Sequence, residues 1–159
     1  MKNLIILLLL FSLSGCGVLF YGAGTLGGFD IRFFPVAKIE VVKAISDLYR
    51  NNPEYSIPEK WKQHDDWKAR GYGFLDTRIF YFKNPPEEMY YVSFYGDSIK
   101  QANPHKIGIA IRAVYNDSHG WDLEKEFKRK ERERVEQRFQ NEIIAKLEGY
   151  IEKKSTREK

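Results

Sequence analysis

Three strand-like runs in the middle of the chain, Arg78 to Lys83, Met89 to Tyr95 and Lys106 to Tyr115, constrain the fold more than any other feature. In the last of them Ile107, Ile109, Ile111 and Ala113 point one way, while Gly108, Ala110, Arg112 and Val114 point the other. That is the period of a strand with at least one buried face. The first two runs are separated only by Asn84-Pro85-Pro86-Glu87-Glu88, a tight polar connection, so the sheet is expected to be antiparallel. Upstream, Phe29, Ile31 and Phe33 alternate with Asp30 and Arg32 and supply another strand.

Two helical signals flank these runs. Pro35 suits a first helical turn, and Val36, Ile39, Val42, Ile45 and Leu48 follow at three-residue intervals, with Val41 and Tyr49 widening the stripe. Asn51-Asn52-Pro53 stops that helix. From Leu123 to Ile151 a second helix is expected, with Val135, Phe139, Ile143, Leu147 and Ile151 every four residues and Ile144 beside them. The order β-α-β-β-β-α predicts an α+β two-layer sandwich: a four-stranded, mainly antiparallel sheet with two helices on one face. Residues 29–151 form its single domain, and residues 152–159, which include no apolar side chain, read as a disordered charged tail. With 43% hydrophobic residues and only 12 Gly and 6 Pro in 159, the chain is neither disordered nor collagen-like. No apolar run is long enough for a polytopic channel or transporter.

The N-terminus carries a different message. Lys2 precedes eight consecutive apolar residues, Leu4 to Phe11, the size of a signal-peptide apolar region. An uncleaved transmembrane helix from Leu4 to Tyr21 would have to include Ser12, Ser14, Gly15 and Gly17, and it falls short of the roughly 20 mainly apolar residues a span needs. Leu13-Ser14-Gly15-Cys16 resembles the lipobox of bacterial lipoproteins, and the resemblance covers only the first sixteen residues. It implies that residues 1–15 are a signal peptide and that Cys16 becomes the lipidated N-terminus. There Cys16 would carry a thioether-linked diacylglycerol, with further acylation, palmitate for example, on its amino group. As the sole cysteine, it has no internal disulfide partner. Two or three acyl chains give stable anchoring where one is marginal. Gly17 stands where the class places an inner-membrane retention Asp, which implies outer-membrane, periplasm-facing localisation in a Gram-negative cell.

Loss of residues 1–15 leaves 144 residues with 25 basic and 22 acidic side chains, a balance of +3 that is no nucleic-acid signature. Residues 16–28, the cysteine and a segment with five glycines, read as the lipidated start of a flexible tether.

Four features within the domain could carry function. His64-Asp65-Asp66 lies between Trp61 and Trp67 and offers a base with two carboxylates, or alternatively a polar loop anchored by its tryptophans. Asp117-Ser118-His119-Gly120 has the side-chain types of a serine triad, but consecutive residues cannot adopt that geometry and a strand-to-helix turn with a capping Asp or Ser is expected. Tyr91, Ser93 and Tyr95 share one face of a strand, so Tyr91 and Tyr95 are candidates for an exposed binding face, unless residues 53–75 shield it. Lys128 to Arg134 holds five basic and two acidic residues, so Arg129, Arg132 and Arg134 are candidates for attraction to anionic headgroups or envelope polymers, against a plain solvated helix face. With Trp61 and Trp67 these complete the candidate binding residues. Neither a catalytic set nor metal-ligand spacing is present, and no cofactor is expected. The reading is a non-enzymatic, lipid-anchored envelope module that binds another envelope protein or polymer. A periplasmic hydrolase using His64 or His119, and a structural tether, are the alternatives.

Overall fold

A computed structural model describes residues 28–96 and 105–158; the expected signal peptide, Cys16 and the expected tether through residue 27 lie outside the described residues. In chain order the elements are β1 (Ile31–Phe34), α1 (Lys38–Asn51), β2 (Thr77–Phe82), β3 (Glu88–Tyr95) and β4 (Ile107–Asn116). They continue with β5 (Gly120–Asp122), α2 (Arg129–Phe139), α3 (Ala145–Ile151) and β6 (Thr156–Glu158). The expected α+β architecture and antiparallel sheet are present, but the sheet has six strands rather than four and there are more helical segments than two. Its order is β2-β3-β4-β1-β6, with β5 pairing the far end of β4, and every pairing is antiparallel.

The two additional strands are short, which is why period-two patterning did not announce them. β5 closes a hairpin on β4: Asn116 pairs with Gly120, the Asn116 carboxamide oxygen accepts the N–H groups of Ser118 and His119 at 3.0 Å, and Gly120 takes φ of 80°. A left-handed glycine after a three-residue turn is a standard hairpin closure. Asp117-Ser118-His119 is therefore a strand-to-strand turn and not the lead into a helix.

β6 corrects the expectation of a disordered tail. Thr156–Glu158 pairs with Phe33, Arg32 and Ile31 of β1 although all three of its residues are exposed. Glu152 turns the chain back with φ of 57°, and the Glu148 carboxylate then accepts Lys154 Nζ at 2.8 Å and the Ser155 N–H and hydroxyl at 3.0 and 2.7 Å. Arg157 bridges Asp30 and Glu136. Polar latches and backbone pairing, and no apolar side chain, order this segment, so hydropathy could not reveal it.

The helices follow their sequence signals with two adjustments. In α1 the buried residues are Val41, Ala44, Ile45 and Leu48, whereas Ile39 is 71% exposed. At 3.6 residues per turn a three-residue spacing falls behind by about 60° per step, so Ile39 and Leu48 cannot share one face. The second helical region begins at Arg129, after a single 3-10 turn at Glu124–Glu126, rather than at Leu123. Its four-residue stripe runs ahead by about 40° per step, which would carry Ile151 well away from Val135 in a regular α-helix. A π-helical stretch, Gln140–Ile144, separates α2 from α3, and its wider turns absorb that drift. Val135, Phe139, Ile143 and Leu147 are all buried as a result.

Both helical regions pack on one face of the sheet, against Phe80, Phe82, Tyr90, Val92, Ile109 and Ile111 among others. The opposite face is also covered. Residues 53–72 form short helical turns, Pro53–Tyr55, Glu59–His64 and Lys68–Tyr72. They lay Trp61 and Trp67 over Ile79, Tyr81, Met89, Tyr91, Ala113 and Tyr115. The expected two-layer sandwich thus has a third, irregular layer.

Candidate functional site

That third layer decides the fate of the predicted aromatic face. Tyr91 is 1% exposed, and its ring stacks on Trp67 with centroids 4.2 Å apart and planes 17° apart. Trp61 meets Tyr81 and Tyr115 edge-on at 5.5 and 5.1 Å, and both tryptophans are buried. Of the candidate aromatic residues only Tyr95 retains exposure, at 38%. Trp61, Trp67 and Tyr91 are therefore core and not a free binding face: rings this large remove much more apolar area from water when they cover the sheet than when they stay in solvent.

The three candidate arginines of the cationic run are likewise paired within the molecule. Arg129 Nε lies 2.8 Å from Glu133, Arg132 lies 3.0 Å from Glu124, and Arg134 makes a bidentate pair with Glu88 at 2.9 and 2.6 Å. The three arginines do not form an unneutralised stripe. The histidines and carboxylates also separate. The His64 ring stacks on Tyr115 at 4.4 Å with its Nε2 2.9 Å from the Tyr115 hydroxyl, Asp66 pairs with Arg70 at 2.8 Å, and His119 lies 3.7 Å from Asp122. His64, Asp66 and His119 thus have three different settings and do not converge.

What the fold does bring together is a cleft of about 480 Å³ where the β2–β3 connection, the β4–β5 turn and the approach to α2 meet. Glu87 and Glu88 enter from the first, Asp117, His119 and Asp122 from the second, and Glu126, Glu131 and Arg134 from the third, with Trp61 and Phe127 as its aromatic members. Six carboxylates face one arginine and one histidine there.

A buried ion cluster holds the wall of this cleft in place. Glu88 is 2% exposed and accepts from both Arg134 and Arg138 as well as from the Tyr90 hydroxyl at 3.0 Å. Arg138 also donates to the carbonyls of Asn84 and Pro86, both at 2.6 Å, so the β2–β3 connection is tied to α2. Burial, reinforced by the Glu88 charge, raises the Tyr90 hydroxyl far above its ordinary value. Nearer the opening, hydrogen bonds from Lys60 and Tyr81 hold the Glu87 carboxyl below its usual range. Burial and the same Glu87 hydrogen bond push Tyr81 up to about 12. Burial first, and then Asp117, raises Tyr115.

The lining of this cleft holds more carboxylates than cations. Its carboxylates are spread around an opening in place of being gathered on one point, and among the described residues no group of three or more His, Cys, Asp or Glu could hold a metal ion. Nor, among the described residues, is any helix long and apolar enough to cross a membrane. Glu87, Glu88, Glu126 and Glu131 escaped the sequence reading because they come from two regions about forty residues apart in the chain. The one available signal was that each region carries carboxylates beside a turn residue or helix start. No family model matches the chain, and neither does any curated protein or solved structure.

Proposed function

We propose that this chain is a lipid-anchored cell-envelope protein whose domain binds a cationic segment of another envelope component in the acidic cleft, without catalysing a reaction. The cleft carries the reading: of its six carboxylates Glu88 is paired with Arg134 and Arg138 and Glu87 with Lys60, while Asp117, Asp122, Glu126 and Glu131 stand around two aromatic rings without a lysine or arginine ion pair among the described residues, which suits incoming lysine or arginine side chains whose stems pack on the rings. The lipobox resemblance at Leu13-Ser14-Gly15-Cys16 supports the anchor, and Gly17 supports an outer-membrane destination in a Gram-negative envelope. The separate settings of His64, Asp66 and His119 count against the hydrolase alternative. The pairing of Arg129, Arg132 and Arg134 counts against an anionic partner at that helix.

The test uses the full chain in detergent and a short fluorescent polylysine peptide, read by anisotropy. Asp117→Asn with Glu131→Gln should weaken binding about tenfold at low salt, with the difference shrinking as salt rises, while Arg129→Gln leaves it unchanged. Equal affinity for the parent and the doubly neutralised protein would overturn the assignment. Intact mass of the membrane fraction, parent against Cys16→Ser, tests the anchor separately.

A further inference from the structure

The six carboxylates of the acidic cleft are not equally open. Glu88 is locked: its side chain is 3% exposed and two arginines hold it. Asp117, Asp122, Glu126 and Glu131 stand without a lysine or arginine ion pair among the described residues, with His119 3.7 Å from Asp122. Glu87 lies between these cases. The Lys60 ammonium reaches it at 2.7 Å from the turn Glu59–His64 of the irregular layer, and the Tyr81 hydroxyl donates to the same oxygen. Lys60 Nζ also lies over the ring of Trp61, 4.9 Å from its centroid. Trp61 and Glu87 both line the cleft. The side chains of Lys60 and Glu87 are 54% and 33% exposed, so this pair, unlike that of Glu88, is open to solvent on both partners.

We propose that Lys60 is a resident cation that an incoming lysine or arginine side chain replaces on Glu87; the inference rests on the acidic-cleft reading and adds the regulation of that site. An ammonium on an alkyl stem, held between a carboxylate and an indole ring, is the contact that a cationic segment would make in the cleft, and here the chain makes it with its own side chain. Displacement breaks one exposed ion pair and forms another of the same kind. An exposed pair is weak, so Lys60 returns to water at little cost. The turn that carries it stays anchored by Trp61, which is buried against Tyr81 and Tyr115. The Tyr81 hydroxyl stays on Glu87 through the exchange and keeps the carboxylate in place.

The resident lysine sets a threshold. A ligand with a single cation gains nothing at Glu87, because it takes over a pair that already exists. A segment with several cations also reaches Asp117, Asp122, Glu126 and Glu131, and once one of its side chains is held the others bind at a raised effective concentration. The cleft therefore favours a polycationic segment over an isolated lysine, and Lys60 suppresses weak contacts at the corner where the irregular layer meets the β2–β3 connection. A matched control lies two residues on. Lys62, on the same turn, pairs with Glu59 at 2.6 Å and lines a separate cavity beside Tyr49 and Ile79. Lys83 also bears on Glu87 through its charge and is kept in every variant.

The test uses the full chain in detergent and the fluorescent polylysine peptide, read by anisotropy at low salt. Lys60→Met, which keeps the stem and removes the charge, is expected to tighten binding about threefold. Lys60→Arg should keep the parent affinity, and Lys62→Met, which removes the same charge from the same turn, should leave it unchanged. In a Glu87→Gln background Lys60→Met should have no effect, because the pair it releases is already gone. Equal tightening with and without Glu87, or equal tightening by Lys62→Met, would mean that the lost charge acts through space alone and would overturn the exchange. Unchanged affinity of Lys60→Met, while Asp117→Asn with Glu131→Gln still weakens binding, would overturn the exchange and leave the cleft standing. If the doubly neutralised protein binds as the parent does, the cleft reading falls and the role of Lys60 falls with it.

Discussion

The two faces of the sheet are covered by different means. On one, α1, α2, the π-helical stretch and α3 present Val41, Ile45, Leu48, Val135, Ile143 and Leu147, side chains whose spacing is that of a helix. On the other, short turns between Pro53 and Tyr72 have no periodic face to offer, and the covering is done by rings: Trp61 and Trp67 against Tyr81, Tyr91 and Tyr115, with Trp121 closing the group at 5.0 Å from Trp67 and 5.4 Å from Tyr115. A helix can cover a sheet with many small aliphatic contributions because its geometry repeats. An irregular segment has few positions that point inwards, so each must bury a large area. The loop face accordingly depends on a few side chains and the helix face on many.

Trp67→Ala should therefore have the largest effect, a loss of about 4 kcal/mol in urea unfolding. Amide exchange should quicken across residues 57–72 while α2 and α3 keep their protection, and equal loosening of both faces would contradict the distinction. Glu88→Gln follows. Two arginines and a tyrosine converge on that buried carboxylate, so the variant should cost about 3 kcal/mol and loosen the seam between β3 and α2, leaving the Trp67–Tyr91 stack intact by near-ultraviolet circular dichroism. Gly108→Ala should cost about 2 kcal/mol, because an added methyl would lie 2.7 Å from Ile31 and 3.0 Å from the Phe33 ring, where β4 and β1 pair; thermal melting reads it.

A smaller effect is set by pH. Burial alone would raise the Glu148 carboxyl, but the hydrogen bonds from Lys154 and Ser155 outweigh it and hold the group below its ordinary value of 4.5. A depressed folded value means that the stabilisation is fully present above about pH 4.5 and disappears as the pH falls through the folded value. Amides of Thr156–Glu158 should then exchange freely under acid while those of β3 and β4 remain protected, and Glu148→Gln should reproduce the release at neutral pH. Arg129→Gln, at an exposed pair on the helix face, should leave the melting temperature unchanged.

Much of the helix face was readable in advance because its residues follow a period. The Val135 to Ile151 stripe, the alternation from Ile107 to Val114 and the order of the three central strands are local patterns, and each reappears in the structure. The first helical stripe was only partly readable: a three-residue spacing drifts, and only packing against Phe80 and Phe82 decided that Val41 and Ala44 face inwards while Ile39 does not. β5 and β6 carry too few residues for a period and owe their existence to backbone pairing with β4 and β1.

The candidate site was the least legible part. Tyr91 and Tyr95 looked equivalent on one strand face, but a segment about twenty residues earlier in the chain covers one and leaves the other open. Arg129, Arg132 and Arg134 looked like a single cationic surface, but Glu133, Glu124 and Glu88 neutralise them from a helix turn, a 3-10 turn and a distant strand.

By itself the sequence determined what depends on near neighbours: the alternating strands, the helical stripe that a π-turn keeps in line, and the lipobox resemblance at Cys16. Only the tertiary structure decided which charges remain uncompensated, which rings are covered and which end of the sheet is acidic. Those properties belong to pairs of residues tens of positions apart, and a side chain's charge and exposure depend on the partner that the fold places beside it.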